Sequence, residues 1–457
     1  MDKELTNLSS NKKLRRPNDS LEDDDDVDRI SDLPESVLSH ILSRLPTTLD
    51  AVRTCVLSRK WEKQWKNVYN LRFSDYKVDK SKKKDFAISV QKVLYHFRNS
   101  RIQGFMLSIN CNQYNPTLVK TWLSAALRSN VQRLCFSHVD DLEFPHYFFE
   151  CDSLVHLVLE LCTFRVPGYF CLANLRVLNF YNVTWQNDDC SASRCFILNF
   201  PVLEVFKSYQ CRWLNVKMLK ILAPLLASFQ MVRSFLRCTP GRSEDCEIEI
   251  CGDNLSYFNF DGFSLENIVL SNPSKVANVC LDVNSMERFI QRGKIGSRAL
   301  LLLGGLSSVI RCLELSEYVI EALAHAEPPC SLPIFDGLTI LKVSSTWSNT
   351  LCSGPLMELL NSAPALEKLI FTTLIDDVNY EESNSLPTNF SSNLKVVEFR
   401  LFKGRASEIQ LVKFLLHNLS ILEQLVITKF LGDTKVEVEN QLLMLPRSSS
   451  RVSIVFL

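Results

Sequence analysis

The sequence predicts an α+β architecture in two parts: a short three-helix module near the N-terminal end and a long, irregular solenoid of α/β repeats behind it. Three observations predict it. Residues 29–75 gather apolar residues at helical spacing in a short stretch that also holds two prolines and two tryptophans. From about residue 100 onward, one small apolar motif keeps returning. A chain of 457 residues is too long for one ordinary core, so several units or a repeat array are required.

Residues 1–28 show almost no apolar periodicity. A basic cluster, Lys12-Lys13-Leu14-Arg15-Arg16, precedes an acidic run, Glu22 to Asp26 and Asp28. Such a segment cannot bury enough surface to offset its chain entropy and is expected to be disordered. The basic cluster fits a nuclear import signal and equally a solvated charged tail.

The module follows. Pro34 stands where a helix would begin, with Ser31 and Asp32 upstream as capping candidates. Val37, Leu38, Ile41, Leu42 and Leu45 then form one apolar face, which Pro46 ends. Leu49, Val52, Cys55 and Val56 suggest a second helix, and Ser58 opens a third with Trp61 and Trp65 on one side. So small a unit cannot enclose this apolar surface alone, so part of it must be covered by the rest of the chain or by a partner. The paired tryptophans beside the patch fit a binding site.

The pattern Leu33-Pro34, Val37-Leu38, Ile41-Leu42-x-x-Leu45-Pro46, Ala51-Val52, Val56-Leu57-Ser58-Arg59-Lys60-Trp61 and Trp65 resembles an F-box in the form common in plants. Lys60 departs from the arginine that the family often has before this tryptophan. The resemblance implies a three-helix module that docks on a Skp-type adaptor and through it on a cullin-based ubiquitin ligase. It assigns the adaptor-facing positions to Leu33, Pro34, Ile41, Leu42, Leu45, Pro46, Val56, Leu57 and Trp61. The alternative is a structural helical cap on the array, with the same apolar residues buried.

Behind the module, Phe86 to Phe97 reads as an amphipathic helix, Phe105-x-Leu107-x-Ile109 as a strand and Leu118 to Leu127 as a second helix. The motif apolar-x-x-apolar-x-apolar then occurs twelve times, starting at Val131, Leu154, Leu175, Leu203, Leu226, Leu255, Val276, Ile310, Leu338, Leu366, Leu394 and Leu422. The last five starts are each 28 residues apart. This is the leucine-rich-repeat signature, although the Asn or Cys expected after the motif is patchy, as in the irregular plant type. Each unit supplies a short strand and a return segment, and stacking buries the faces that no unit can bury alone. Val319-Ile320-Leu323, Leu356-Leu359-Leu360 and Leu411-Val412-Leu415-Leu416 place helices in the last third. Earlier returns are shorter and irregular, with loops at Asp188 to Arg194 and Gly241 to Asp245.

Residues 385–457 carry a second resemblance. Leu386-Pro387, Leu394-Lys395-Val396-Val397-Glu398-Phe399, Phe402-Lys403-Gly404, Glu408, Leu411-Val412, Leu415-Leu416, Asn418 and Leu422-x-x-Leu425-x-Ile427 resemble the FBD domain, which accompanies F-boxes and leucine-rich repeats in many plant proteins. The physical expectation is a unit that protects the open end of the solenoid. The leucine-rich repeats then span 100–384, between the F-box at 29–75 and this unit.

Composition narrows the function. Lys+Arg and Asp+Glu are both 51, so the chain lacks the basic excess of a nucleic-acid partner. No apolar run is long enough to span a membrane, and the N-terminus lacks a signal-peptide core. The 16 cysteines are scattered without a C-x-x-C pair and read as reduced packing residues, which points to the cytoplasm or nucleus. No H-E-x-x-H, G-x-S-x-G, P-loop or G-x-G-x-x-G occurs; Gly293-Lys294-Ile295-Gly296-Ser297 lacks phosphate-cradling spacing. The seven histidines are dispersed. No catalytic residue, metal or cofactor is expected.

The expected function is therefore substrate recognition for a Skp–cullin–F-box ubiquitin ligase, with a non-degradative repeat scaffold or receptor as the alternative. An unidentified protein target would meet strand residues flanking the inward leucines: His156, Val158, Glu160, Val177, Asn179, Tyr181, Tyr257, Asn259, Asp261, Val396, Glu398 and Arg400.

Overall fold

The computed structural model describes residue 30 and residues 32–457, apart from 99, 111–112, 140–143, 145–147, 166–168, 187–193, 238–245, 263, 284–291, 329–330, 345–352, 373–392 and 432–434. The charged tail 1–28, Ser31, the expected loops at 188–193 and 241–245, and Leu386-Pro387 lie outside the described residues.

The helical module holds two α-helices. α1 (Glu35–Ser43) begins directly after Pro34, whose fixed φ and missing N–H suit a helix start; no side chain caps it. α2 (Thr48–Arg53) is capped by Thr47, whose Oγ1 accepts the Asp50 N–H at 3.2 Å, and runs into a 3₁₀ turn at Thr54–Val56. The expected third helix is instead a run of turns ending in a 3₁₀ segment, Gln64–Asn67, and Ser58 Oγ caps nothing. The two tryptophans account for the change. In an α-helix they would share one face. Here Trp61 enters the module's core while Trp65 packs its ring 5.1 Å from that of His96.

The strand stack starts at residue 70, ahead of the expected start near 100. β1 (Asn70–Ser74) follows the module at once and pairs in parallel with β2 (Gly104–Ser108), which pairs with β3 (Arg133–Val139). Between these strands run α3 (Lys83–Phe97) and α4 (Pro116–Arg128), as their amphipathic spacing predicts.

The middle of the chain is entirely β among the described residues. It contains β4 (His156–Arg165), β5 (Tyr169–Cys171), β6 (Val177–Tyr181), β7 (Thr184–Gln186), β8 (Cys195–Asn199), β9 (Val205–Tyr209) and β10 (Arg212–Leu214). It continues with β11 (Met218–Leu222), β12 (Ser228–Val232), β13 (Phe235–Arg237), β14 (Glu247–Cys251), β15 (Tyr257–Gly262) and β16 (Asn267–Leu270). These strands form three parallel sheets. The main sheet takes β4, β6, β9, β12 and β15; a second takes the end of β4 with β7, β10 and β13; a third takes β5, β8, β11, β14 and β16. The chain passes from the first sheet to the second through left-handed residues, Leu161, Asn182, Gln210 and Arg233. Asn182 and Gln210 each donate their N–H to the main-sheet strand of the next repeat, at 2.8 Å.

The last third alternates strand and helix as expected. It contains β17 (Asn278–Val283), α5 (Arg292–Leu306), β18 (Cys312–Ser316), α6 (Glu317–Ala324), β19 (Ile340–Ser344), α7 (Ser353–Asn361) and β20 (Lys368–Phe371). It ends with β21 (Val396–Phe399), α8 (Ala406–Asn418), β22 (Gln424–Ile427), α9 (Lys435–Leu443) and β23 (Ser453–Phe456). The main sheet runs on in parallel through β17 to β23.

The apolar positions of all twelve motif copies are buried, with Ser208 at the third position of the fourth copy. Their columns stack along the solenoid, as in Phe206, Phe229 and Phe258, whose rings lie 5.3 and 5.4 Å apart and nearly parallel. The expected protection of the far end takes a different form. The C-terminal unit extends the sheet by β21, β22 and β23, and among the described residues β23 pairs only with β22.

Candidate adaptor-docking surface and target-binding face

The module's apolar residues divide into a core and a surface. Leu38, Leu42, Ala51, Trp61 and Val68 are buried; Leu42 and Trp61 are 3% and 6% exposed. Leu33 and Leu45 are half-buried and pack on that core. Pro34, Ile41, Pro46, Val56 and Leu57 are exposed, with Val56 at 84% and Leu57 at 65%, and Ile30 and Val37 join them. Leu42 and Trp61 therefore support the surface from below, and the two tryptophans are not a surface pair. Periodicity could not separate these roles, because the turns after Ser58 rotate Trp61 inward.

The module is fixed to the solenoid by groups that no motif marks. Ser43 and Thr48 are buried polar residues at its inner side. Ser43 Oγ accepts the Tyr69 N–H at 3.2 Å, and Thr48 Oγ1 accepts the Arg72 N–H at 2.7 Å. They satisfy backbone donors along the edge of β1 that no strand covers. Tyr69 Oη lies 2.6 Å from His40 Nδ1, adding a third tie.

The outer face of the main sheet carries every predicted target residue. His156 and Tyr257 belong to its first outward column, Val158, Asn179, Asn259 and Glu398 to the second, and Glu160, Tyr181 and Asp261 to the third. Arg400 follows β21 on the same side, its Nε donating to Glu398 Oε1 at 3.0 Å. All are half-buried except the exposed Arg400. Partial burial shapes the chemistry of this face. It pushes the Asp261 carboxyl up to about 7, reinforced by Asp282 beside it in the ladder, and raises Asp282 as well. Burial, then the Arg133 charge, lowers the His156 imidazole. Salt bridges to Lys368 at 2.7 Å and Arg400 outweigh burial at Glu398 and hold it below the usual carboxylate range.

Among the described residues, no group of His, Cys, Asp and Glu could hold a metal ion, and no helix is long and apolar enough to cross a membrane. The glycine-bearing stretch at 293–297 lies in α5, where Gly296 lets the α6 backbone approach: a Cβ there would fall 2.0 Å from the Ala322 carbonyl oxygen.

With this geometry in view, family comparison assigns two of the units. The F-box domain model matches residues 30–73, and the FBD model matches residues 381–427. The chain carries an F-box and an FBD. The likeness extends over nearly its whole length. An F-box/FBD/LRR-repeat protein of Arabidopsis thaliana is 29% identical over 98% of this chain and 98% of its own. F-box/LRR-repeat protein 13 of the same plant is 27% identical over 95% and 97%. A further F-box/FBD/LRR-repeat protein is 28% identical over 88% and 92%. F-box domains generally bind Skp-type adaptors, and proteins with F-boxes and leucine-rich repeats are typically non-catalytic substrate adaptors.

The FBD motif has a physical reading in the fold. Gly404 turns the chain with φ +77° where a Cβ would meet Val438 at 2.7 Å. Glu408, fully buried, then accepts the N–H groups of Lys403 and Arg405, each at 3.0 Å, through Oε2 at the start of α8. Phe402 is buried between Phe399 and Phe430. These motif residues build the turn from β21 into α8.

Proposed function

We propose that this protein is the substrate-recognition subunit of a Skp–cullin–F-box ubiquitin ligase. Its F-box docks the Skp-type adaptor, and through it the cullin, with Pro34, Ile41, Pro46, Val56 and Leu57 in contact and Leu33 and Leu45 at the border. Leu42 and Trp61 shape that surface from beneath. The outer face of the main sheet holds a protein target, using residues among His156, Val158, Glu160, Asn179, Tyr181, Tyr257, Asn259, Asp261, Glu398 and Arg400. The protein acts as a bridge: holding the target raises its effective concentration beside the ubiquitin-charged enzyme. It works in the cytoplasm or nucleus.

The observation that carries this reading is the exposure of Val56 and Leu57 on a module whose inner side is already occupied by β1. A purely structural cap, as in a non-degradative scaffold, would bury those side chains. Capture of a purified Skp-type adaptor by the full chain tests the proposal. Leu33→Ala with Pro34→Ala should abolish capture, and undiminished capture would overturn it.

A further inference from the structure

The end of the outer face nearest the F-box is a groove of about 250 Å³ across β1 to β4. Its floor is lowered at Gly104, which stands in the ladder between Asn70 and Arg133. A Cβ at 104 would lie 2.5 Å from Asn70 Oδ1, and Arg133 Nη2 reaches that same oxygen at 3.2 Å. Arg133 therefore lies across the space that a side chain at 104 would fill.

The charge in this groove is unbalanced. Arg72 and Arg133 both line it, and no aspartate or glutamate does. Neither arginine forms an ion pair among the described residues. Farther along the same face three cations have carboxylate partners: Lys342 pairs with Glu314 at 3.6 Å, and Lys368 and Arg400 pair with Glu398, while Lys207 stands without one beside it in the ladder. The other functional groups lining the groove carry no negative charge. Burial and the Glu160 charge push the Cys135 thiol up to about 11, and the lowered His156 is a neutral imidazole at neutral pH. Beside the arginines, exposed Met106 and half-buried Val158 form an apolar strip.

We propose that this groove receives an anionic side chain, a carboxylate or a phosphorylated hydroxyl, carried on a peptide segment of the target next to an apolar residue. The proposal rests on the reading that the outer face binds a protein target. Guanidinium groups are suited to it: each offers a fork of donors that matches a carboxylate or phosphate, and two guanidinium groups without a carboxylate partner in one groove favour an oxyanion over a neutral group. The groove opens along the sheet, so a chain segment can run through it, with the apolar neighbour resting on Met106 and Val158.

An array of short peptides of random sequence, probed with the full-length chain, tests this. The expected result is a preferred peptide with an acidic or phosphorylated residue flanked by an apolar one. In solution, replacing that Glu by Gln, or that phosphoserine by serine, should weaken binding about tenfold or more. Arg72→Gln with Arg133→Gln should abolish the preference at an unchanged melting temperature, whereas Lys413→Gln, on α8, should leave it intact. Peptides bound without an acidic preference, or equally well by the arginine variant, would overturn the proposal while leaving target binding by this face standing. Glutarate or inorganic phosphate stabilising the chain when no peptide binds would also overturn it, in favour of a small free anion. Adaptor capture, measured on the same preparations, reports separately on the F-box.

Discussion

Thr48 Oγ1 accepts the backbone N–H of Arg72 at 2.7 Å, so a hydroxyl of the F-box closes the open edge of the first strand of the main sheet. A parallel stack of strands needs its edge donors satisfied, and here the docking module supplies the acceptors. Adaptor surface and sheet face are thereby held as one body. Thr48→Val keeps the shape but leaves the Arg72 N–H unpaired, and should cost about 1–3 kcal/mol. Thermal unfolding should show a lowered midpoint, and Thr48→Ser should recover most of it.

Gly296 lets α5 press against α6, and any side chain there meets the Ala322 carbonyl. Gly296→Val should force the two helices apart and destabilise the solenoid by about 1–3 kcal/mol or more. Denaturant titration should show the loss, while adaptor capture below the transition stays as in the wild type.

Asp261 gives the outer face a pH response. Its carboxyl is raised from 3.8 to about 7 by burial, then by the neighbouring Asp282. A carboxyl raised in the folded state favours folding while protonated, so its contribution is complete below about pH 4 and is lost as pH rises through 7. Asp261→Asn removes this response. Melting temperatures of the two proteins, compared from pH 4 to pH 8, should converge at the acid end and diverge with the variant more stable at the alkaline end.

Glu408 anchors the FBD turn through two backbone donors. Glu408→Ala leaves both unpaired in a buried site and should cost about 1–3 kcal/mol. Hydrogen exchange should rise first in α8 and β22, and far less in β4 to β15, because a solenoid transmits instability mainly to its neighbours.

The register of the array is legible in the sequence because its inward positions, Met231 and Ser208 apart, recur as Leu, Phe, Ile and Val, and all of them are buried. That register alone places His156, Asn179, Tyr257 and Glu398 on one face, since alternation along a strand dictates side. The second sheet is not legible. Strands as short as Thr184–Gln186 and Arg212–Leu214 carry too few residues for a period to register, and they form only because stacked neighbours pair with them. Equally hidden are Ser43 and Thr48, ordinary hydroxyls whose importance comes from where Tyr69 and Arg72 present their N–H groups. Trp61 misleads for a related reason: a periodic reading continues the helix, whereas burial of a large ring ends it.

The most direct measurement is the affinity of a purified Skp-type adaptor for the full-length chain and for Val56→Asp with Leu57→Asp, followed by calorimetry. Both side chains are exposed in the free chain, so the variant should fold with an unchanged melting temperature. Adaptor binding should fall at least about a hundredfold in the variant, as expected when charges enter an apolar contact. Equal affinity for the two proteins would contradict it and would leave the F-box here as a cap on the solenoid.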